Sequence, residues 1–142
     1  MKTLVEYAKS FLGIRYQWGG KTPIGGLDCS GLVEEILRSI GMLGAEIDSA
    51  QMIYSTLSPK AMSSNKGPGA LIFFGENTKQ ITHIGFMIND YQMIEAGGGT
   101  ASVKDLATAI EHSAYVKIRP ITHRNDCVAI FMPNYPLWVL NE

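Results

Sequence analysis

Two side chains in this 142-residue chain have the types and surroundings for nucleophilic catalysis, Cys29 and His83. Cys29 stands where a Gly-rich loop passes into an amphipathic helical pattern. Unpaired N–H groups and the positive end of a helix dipole favour a thiolate at such a position. The flanking Gly26 and Gly31 are expected to leave room for a substrate backbone to approach Cys29. His83 lies in Thr82-His83-Ile84-Gly85-Phe86-Met87-Ile88, where Ile84, Phe86 and Ile88 alternate with a His83-Gly85-Met87 face. The apolar face should pack on helices, and His83 then points the other way, toward the nucleophile. A thiolate beside an imidazole is an acyl-transfer nucleophile with its base. For an arbitrary cysteine, burial as a small apolar group is the commoner fate, and a strand histidine is more often structural. The neighbouring residues have to decide.

The elements that would hold these groups can be read from pattern. Thr3-Leu4-Val5-Glu6 fits a capping box, and Leu4, Val5, Ala8, Phe11 and Leu12 follow at helical spacing up to Gly13. Residues 13–27 read as a Gly-rich loop containing Pro23. A second helix starts at Asp28 or Cys29, with Leu32, Val33, Ile36, Leu37 and Ile40 as its apolar stripe; Glu34, Glu35 and Arg38 should face water, and Gly41 should end it. A short helix follows Ser49, and another runs from Ser102-Val103-Lys104-Asp105 to His112. Strands are expected over 70–74, 82–88, 92–96, 115–120 and 128–132. Helices first and strands after predict an α+β fold, with N-terminal helices on a mostly antiparallel sheet of about five strands. One domain should occupy residues 1–142, its last residues, Leu137 to Leu140, packing onto the body.

Composition narrows the function classes. With 46% hydrophobic and 18% charged residues the chain is globular rather than disordered. A net charge of -1, with no Lys/Arg cluster among aromatics, gives no support for nucleic-acid binding. The apolar run from Ala70 to Phe74 is far too short to span a bilayer, and the Met1–Glu6 segment does not read as a signal peptide. Synthesis in the cytoplasm is expected, with delivery by another route if the target is outside it. Cys29 and Cys127 are too few for a disulfide framework, although one bridge between them stays open. His83, His112 and His123 have no zinc-site spacing, so no metal and no cofactor are expected.

Gly26-Leu27-Asp28-Cys29-Ser30-Gly31-Leu32-Val33, preceded by Tyr16-Gln17-Trp18-Gly19-Gly20, closely resembles the NlpC-type family of cell-wall cysteine peptidases. The resemblance covers roughly residues 1–120 and implies a papain-like fold and cleavage of peptidoglycan stem peptides, commonly after γ-linked D-glutamate. It makes Cys29 the nucleophile and His83 the base. It implies that the Tyr16 hydroxyl and the Cys29 N–H line an oxyanion hole. The family's third polar residue stands about twelve positions beyond the base and is usually His, Asn or Gln; here that position is Glu95. A carboxylate can orient the imidazole through Nδ1–H and stabilise its cation. Asp28 and Ser30 match positions that in some members contact the substrate's free amine and backbone, while Asp28 could equally cap the helix. Trp18 either walls the cleft or packs beneath its loop. His112, His123 and Cys127 match nothing catalytic.

The resemblance thus implies a cysteine endopeptidase acting on peptidoglycan peptides. Two rivals are an amidase or acyltransferase using the same Cys–His site and a catalytically inactive wall-binding module. The compact form looks like a phage lysis or tail enzyme or an exported effector, which would make a phage or secretion system the delivery partner.

Overall fold

The computed structural model describes residues 1–100 and 102–142. In chain order the elements are α1 (Lys2–Lys9), β1 (Lys21–Thr22), β2 (Gly26–Leu27), α2 (Cys29–Arg38), α3 (Ala50–Leu57), β3 (Leu71–Asn77), β4 (Gln80–Met87), β5 (Gln92–Gly97), α4 (Leu106–Glu111), β6 (Tyr115–Pro120), β7 (Cys127–Phe131) and α5 (Leu137–Leu140). The five long strands form one antiparallel sheet in the order β6-β5-β4-β3-β7. The expected α+β architecture, with helices packed on a five-stranded antiparallel sheet, is what forms.

Alternation along the strands divides the core. Leu71, Phe73, Ile84, Phe86, Ile94 and Val116 face the helices and meet Leu32, Val33, Ile36 and Ile53 in the main core. Ile72, Phe74, Met87 and Met93 lie on the other face, in a smaller cluster. The hairpin joining β4 to β5 is set by Asn89, whose side-chain carbonyl accepts the N–H groups of Tyr91 and Gln92. The Ile88 N–H donates to the Gln92 carbonyl, and Met87 pairs with Met93 and Phe86 with Ile94. No further ladder pairs follow toward His83, so the two strands part there.

Several local expectations change. The capping box does not form: α1 begins at Lys2, its N-cap Met1 makes no side-chain cap, and the Thr3 N–H reaches Glu142 instead. The 13–27 segment is not all loop, because β1 and β2 pair as a small hairpin. Helix α2 stops at Arg38 rather than Ile40, with Gly41 turning the chain at φ +75°. Glu34 does not face water. It is fully buried and held by Lys21 and Arg38, because Arg38 also draws the 44–47 loop over it through the carbonyls of Gly44 and Ile47. Of the tail, Val139 is buried whereas Leu137 and Trp138 are largely exposed.

Candidate active site

Asp28 caps α2: its carboxylate accepts the Gly31 N–H at 2.6 Å. That cap fixes Cys29 as the first helical residue, with the free N–H groups of the first turn around it. Cys29 is half-buried and both cysteines are free thiols, so the Cys29–Cys127 bridge is absent. Gly31 and Gly26 do not open a path for substrate. A side chain on Gly31 would collide with the Gly20 carbonyl, and one on Gly26 with Gln17 and Arg15, so both glycines make room for the protein's own backbone.

A cleft of about 720 Å³ opens over Cys29, where β4 and β5 part. Cys29, His83, Glu95, Tyr16, Trp18, Asp28 and Ser30 all line it, so the structure brings every residue singled out in the sequence to one place. His83 is almost buried and Glu95 fully so. Their side chains meet, with Nε2 of His83 2.5 Å from Oε2 of Glu95. The contact is thus through Nε2 and not, as expected from sequence, through Nδ1. Nδ1 is left free of Glu95, and Cys29, whose Sγ lies 4.0 Å from the Thr82 carbonyl, lines the same cleft. Burial disfavours a charged ring, but the neighbouring Cys29 and the Glu95 carboxylate bonded to the ring outweigh it, raising the His83 pKa to about 9. Burial likewise works against an ionised Glu95, yet the His83 hydrogen bond and the charges of His83, Arg119 and His123 hold its pKa below the usual range.

Arg119 was not legible as a site residue. It sits on β6 opposite Met93, and its Nη1 donates to Oε1 of Glu95 at 3.2 Å. The same nitrogen lies 2.8 Å from Nε2 of His123, which brings that histidine into the cleft wall. The remaining histidine and cysteine, His112 and Cys127, are absent from the lining.

Tyr16 lies beneath the glycine turn after β5; a side chain on Gly99 would strike its ring. Its ring is buried, and burial, then the charges of Cys29 and Asp28, push its pKa up, so the hydroxyl stays a donor. Trp18 is about half exposed (53%) and walls the cleft mouth, its backbone N–H donating to the Val103 carbonyl. Lys21, a second residue missed in the sequence, enters from β1 and donates to Asp28, Ser30 and Glu34.

The arrangement suits nucleophilic attack on a carbonyl: a sulfur beside a cationic ring, a buried carboxylate behind that ring, and a protonated phenol near the sulfur. Among the described residues no cluster of three His, Cys, Asp or Glu is placed to hold a metal ion, and no helix is long and apolar enough to cross a membrane.

A family model described as the NlpC/P60 family matches residues 13–120. The bifunctional muramidase/DL-endopeptidase CwlT of Bacillus subtilis (strain 168) is 29% identical over 107 residues, which make up 74% of this chain and 32% of CwlT. The chain spans about a third or less of the length of the relatives matched first. In fold it resembles the peptidoglycan hydrolase RipB of Mycobacterium tuberculosis, with a TM-score of 0.66 and 22% identity over 94% of this chain and 67% of that one. It also resembles RipD of the same organism, described as a non-catalytic NlpC/p60 domain protein adapted to peptidoglycan binding; the TM-score is 0.67 and the identity 18%, covering 94% and 97% of the two chains.

Proposed function

Because the chain belongs to the NlpC/P60 family, whose solved members share its papain-like fold, we propose that it is a cysteine endopeptidase of peptidoglycan stem peptides, cutting after γ-linked D-glutamate. One observation carries the catalytic part of this reading. Cys29, His83 and Glu95 line one open cleft, with His83 bonded to the buried Glu95 and its pKa raised by both Cys29 and Glu95.

The Cys29 thiolate attacks the scissile carbonyl while His83 holds the imidazolium form. The developing oxyanion takes hydrogen bonds from the Cys29 N–H and the Tyr16 hydroxyl. As the tetrahedral adduct collapses, the C–N bond breaks, His83 delivers its proton to the leaving amine, and an acyl thioester remains on Cys29. Neutral His83 then takes a proton from water, whose oxygen attacks the thioester. The acid leaves and the thiolate–imidazolium pair is restored. Glu95 holds the ring in the orientation both proton transfers need and offsets its charge, and Arg119 holds Glu95. Trp18 flanks the bound peptide. The endopeptidase named among the relatives, CwlT, supports the substrate class.

The test is digestion of purified peptidoglycan followed by mass spectrometry of the fragments. New α-carboxylates on D-glutamyl residues would be the wrong ends; the reading requires new γ-carboxylates there and new amines on the following residue. Release of stem peptide whole from the glycan would mark an amidase instead. Binding without any new terminus would mark a non-catalytic module such as RipD is described to be.

A further inference from the structure

The chain that follows β6 puts two side chains into the wall of the cleft, His123 and Arg124. Both lie past residue 120, where the family match ends. Arg124 is pinned in place. Its Nε and Nη2 donate to the two Asp126 carboxylate oxygens at 2.8 and 2.7 Å, and its guanidinium carbon stands 5.1 Å from the centre of the Phe74 ring. Phe74 pairs with His83 across β3 and β4, and the two rings are 5.6 Å apart. One aromatic ring therefore separates Arg124 from the base. Its pKa is raised, first by the Asp126 hydrogen bond and then, against the cost of burial, by the charges of Asp126, Glu95 and Cys29. The guanidinium is thus within electrostatic reach of the nucleophile.

Both residues keep a donor in hand. The fork to Asp126 leaves Nη1 of Arg124 with no partner among the described residues. Arg119 can only donate, so Nε2 of His123 accepts from its Nη1 and the ring proton sits on Nδ1, which has no partner among the described residues either. The acids around them are turned to other uses. Asp126 spends both oxygens on Arg124 and is absent from the cleft lining. Glu95 is buried against His83 and Arg119, and Asp28 and Asp48 stand at Lys21.

We infer that Arg124, aided by the His123 Nδ1–H, is a specificity-determining residue that takes a carboxylate on the residue whose amine leaves. This rests on the endopeptidase reading: His83 gives its proton to the leaving amine, so the residue bearing that amine is held at the His83 wall, with Arg124 next along it. A carboxylate there gains charge-assisted hydrogen bonds from a guanidinium that is already ordered. A neutral amide gains less, and a cationic side chain meets a like charge. The carboxylate has two sources, the side chain of that residue or its own C-terminus.

The experiment compares three peptides, alanyl-γ-D-glutamyl-X, identical up to X. In one, X is 2-aminoadipate with its C-terminus amidated and its side-chain carboxylate free. In its isomer the side chain is amidated and the C-terminal carboxylate is free, and in the third both groups are amides. Turnover is followed with the wild-type chain, and binding by calorimetry with Cys29→Ala, which reads selectivity even if no hydrolysis occurs. One carboxylate form or both should be preferred over the diamide by about tenfold in kcat/KM and in affinity, and the preferred form names the source. Arg124→Gln with unchanged circular dichroism should bring the ratio close to one, and Arg124→Lys should keep part of it. Equal use of all three peptides, a preference for the diamide, or no binding of any would overturn the inference, whatever Arg124→Gln does to folding. An undiminished preference in folded Arg124→Gln would overturn it too. Selective binding without turnover would leave it standing and remove the hydrolase reading, and equal turnover of all three would do the reverse.

Discussion

His83 and Glu95 meet across the β4–β5 hairpin, three residues and one residue beyond its last ladder pair of Phe86 with Ile94, Nε2 against a carboxylate oxygen that is itself buried. The hairpin register makes them diagonal neighbours on one face, and the parting of the strands turns that face into the floor of the cleft.

From this contact follows a pH dependence. Glu95 favours the imidazolium, and activity by the thiolate–imidazolium pair is lost when the ring deprotonates. Glu95→Gln removes the charge but keeps an oxygen that can accept from Nε2, so activity should persist with the alkaline limb at lower pH than in the wild type. Glu95→Ala should lose about tenfold to a hundredfold more, since the ring is neither held nor compensated. The kcat/KM profiles are read as macroscopic values, because His83 is coupled to its ionisable neighbours. Alkaline limbs that coincide in all three proteins would show that Glu95 is not coupled to the base.

Arg119 should act through Glu95 alone. Arg119→Gln is expected to lower kcat by about tenfold, in line with the loss of an outer group that orients a reacting one. In the Glu95→Gln background the same change should add little, the non-additivity of two residues in one network. Full additivity in the double variant would separate Arg119 from Glu95.

The raised His83 pKa also makes the fold sensitive to alkali. With a folded-state pKa of about 9 against an ordinary 6.5, His83 contributes stability that is complete below about pH 6.5. That contribution is lost as pH rises through about 9. Urea midpoints should fall across this window in the wild type, and the His83-specific part of the fall should be missing in His83→Gln. Parallel curves would contradict the coupling.

What could be read from the sequence, and what could not, divides along physical lines. Alternation gave His83 its face, and the family resemblance, with its spacing of about twelve positions beyond the base, gave Glu95. Asp28 before an apolar stripe marked the start of α2 and therefore the setting of Cys29. Glu34 went wrong because helical periodicity says which face a residue is on, not what later covers that face. Here the cover is Lys21 from β1 and the loop that Arg38 gathers in. Arg119 was invisible for the same reason, since its partner is 24 residues earlier. The glycines beside Cys29 pointed to close approach, but by the chain's own carbonyls and side chains, which only the closed loop reveals.

The buried Glu34 gives a stability prediction. Glu34→Ala leaves Lys21 and Arg38 without their shared partner and opens a void, and should cost about 2–4 kcal/mol; the partly exposed cations keep it below the top of the range for broken buried pairs. Glu35→Ala, on the same helix but only part-buried, should cost about 1 kcal/mol or less. Chemical denaturation of both variants checks this, and equal losses would mean that the Glu34 pairs contribute nothing particular.

The most direct test of the whole account is the rate at which new γ-D-glutamyl carboxylates appear when purified peptidoglycan is treated with wild type, Cys29→Ala and Cys127→Ser in parallel. The account predicts cleavage by wild type, near-equal cleavage by Cys127→Ser, and none above background by a Cys29→Ala protein whose circular dichroism is unchanged. Turnover by Cys29→Ala within about tenfold of wild type would contradict it, because the sulfur that carries the covalent step would then be dispensable.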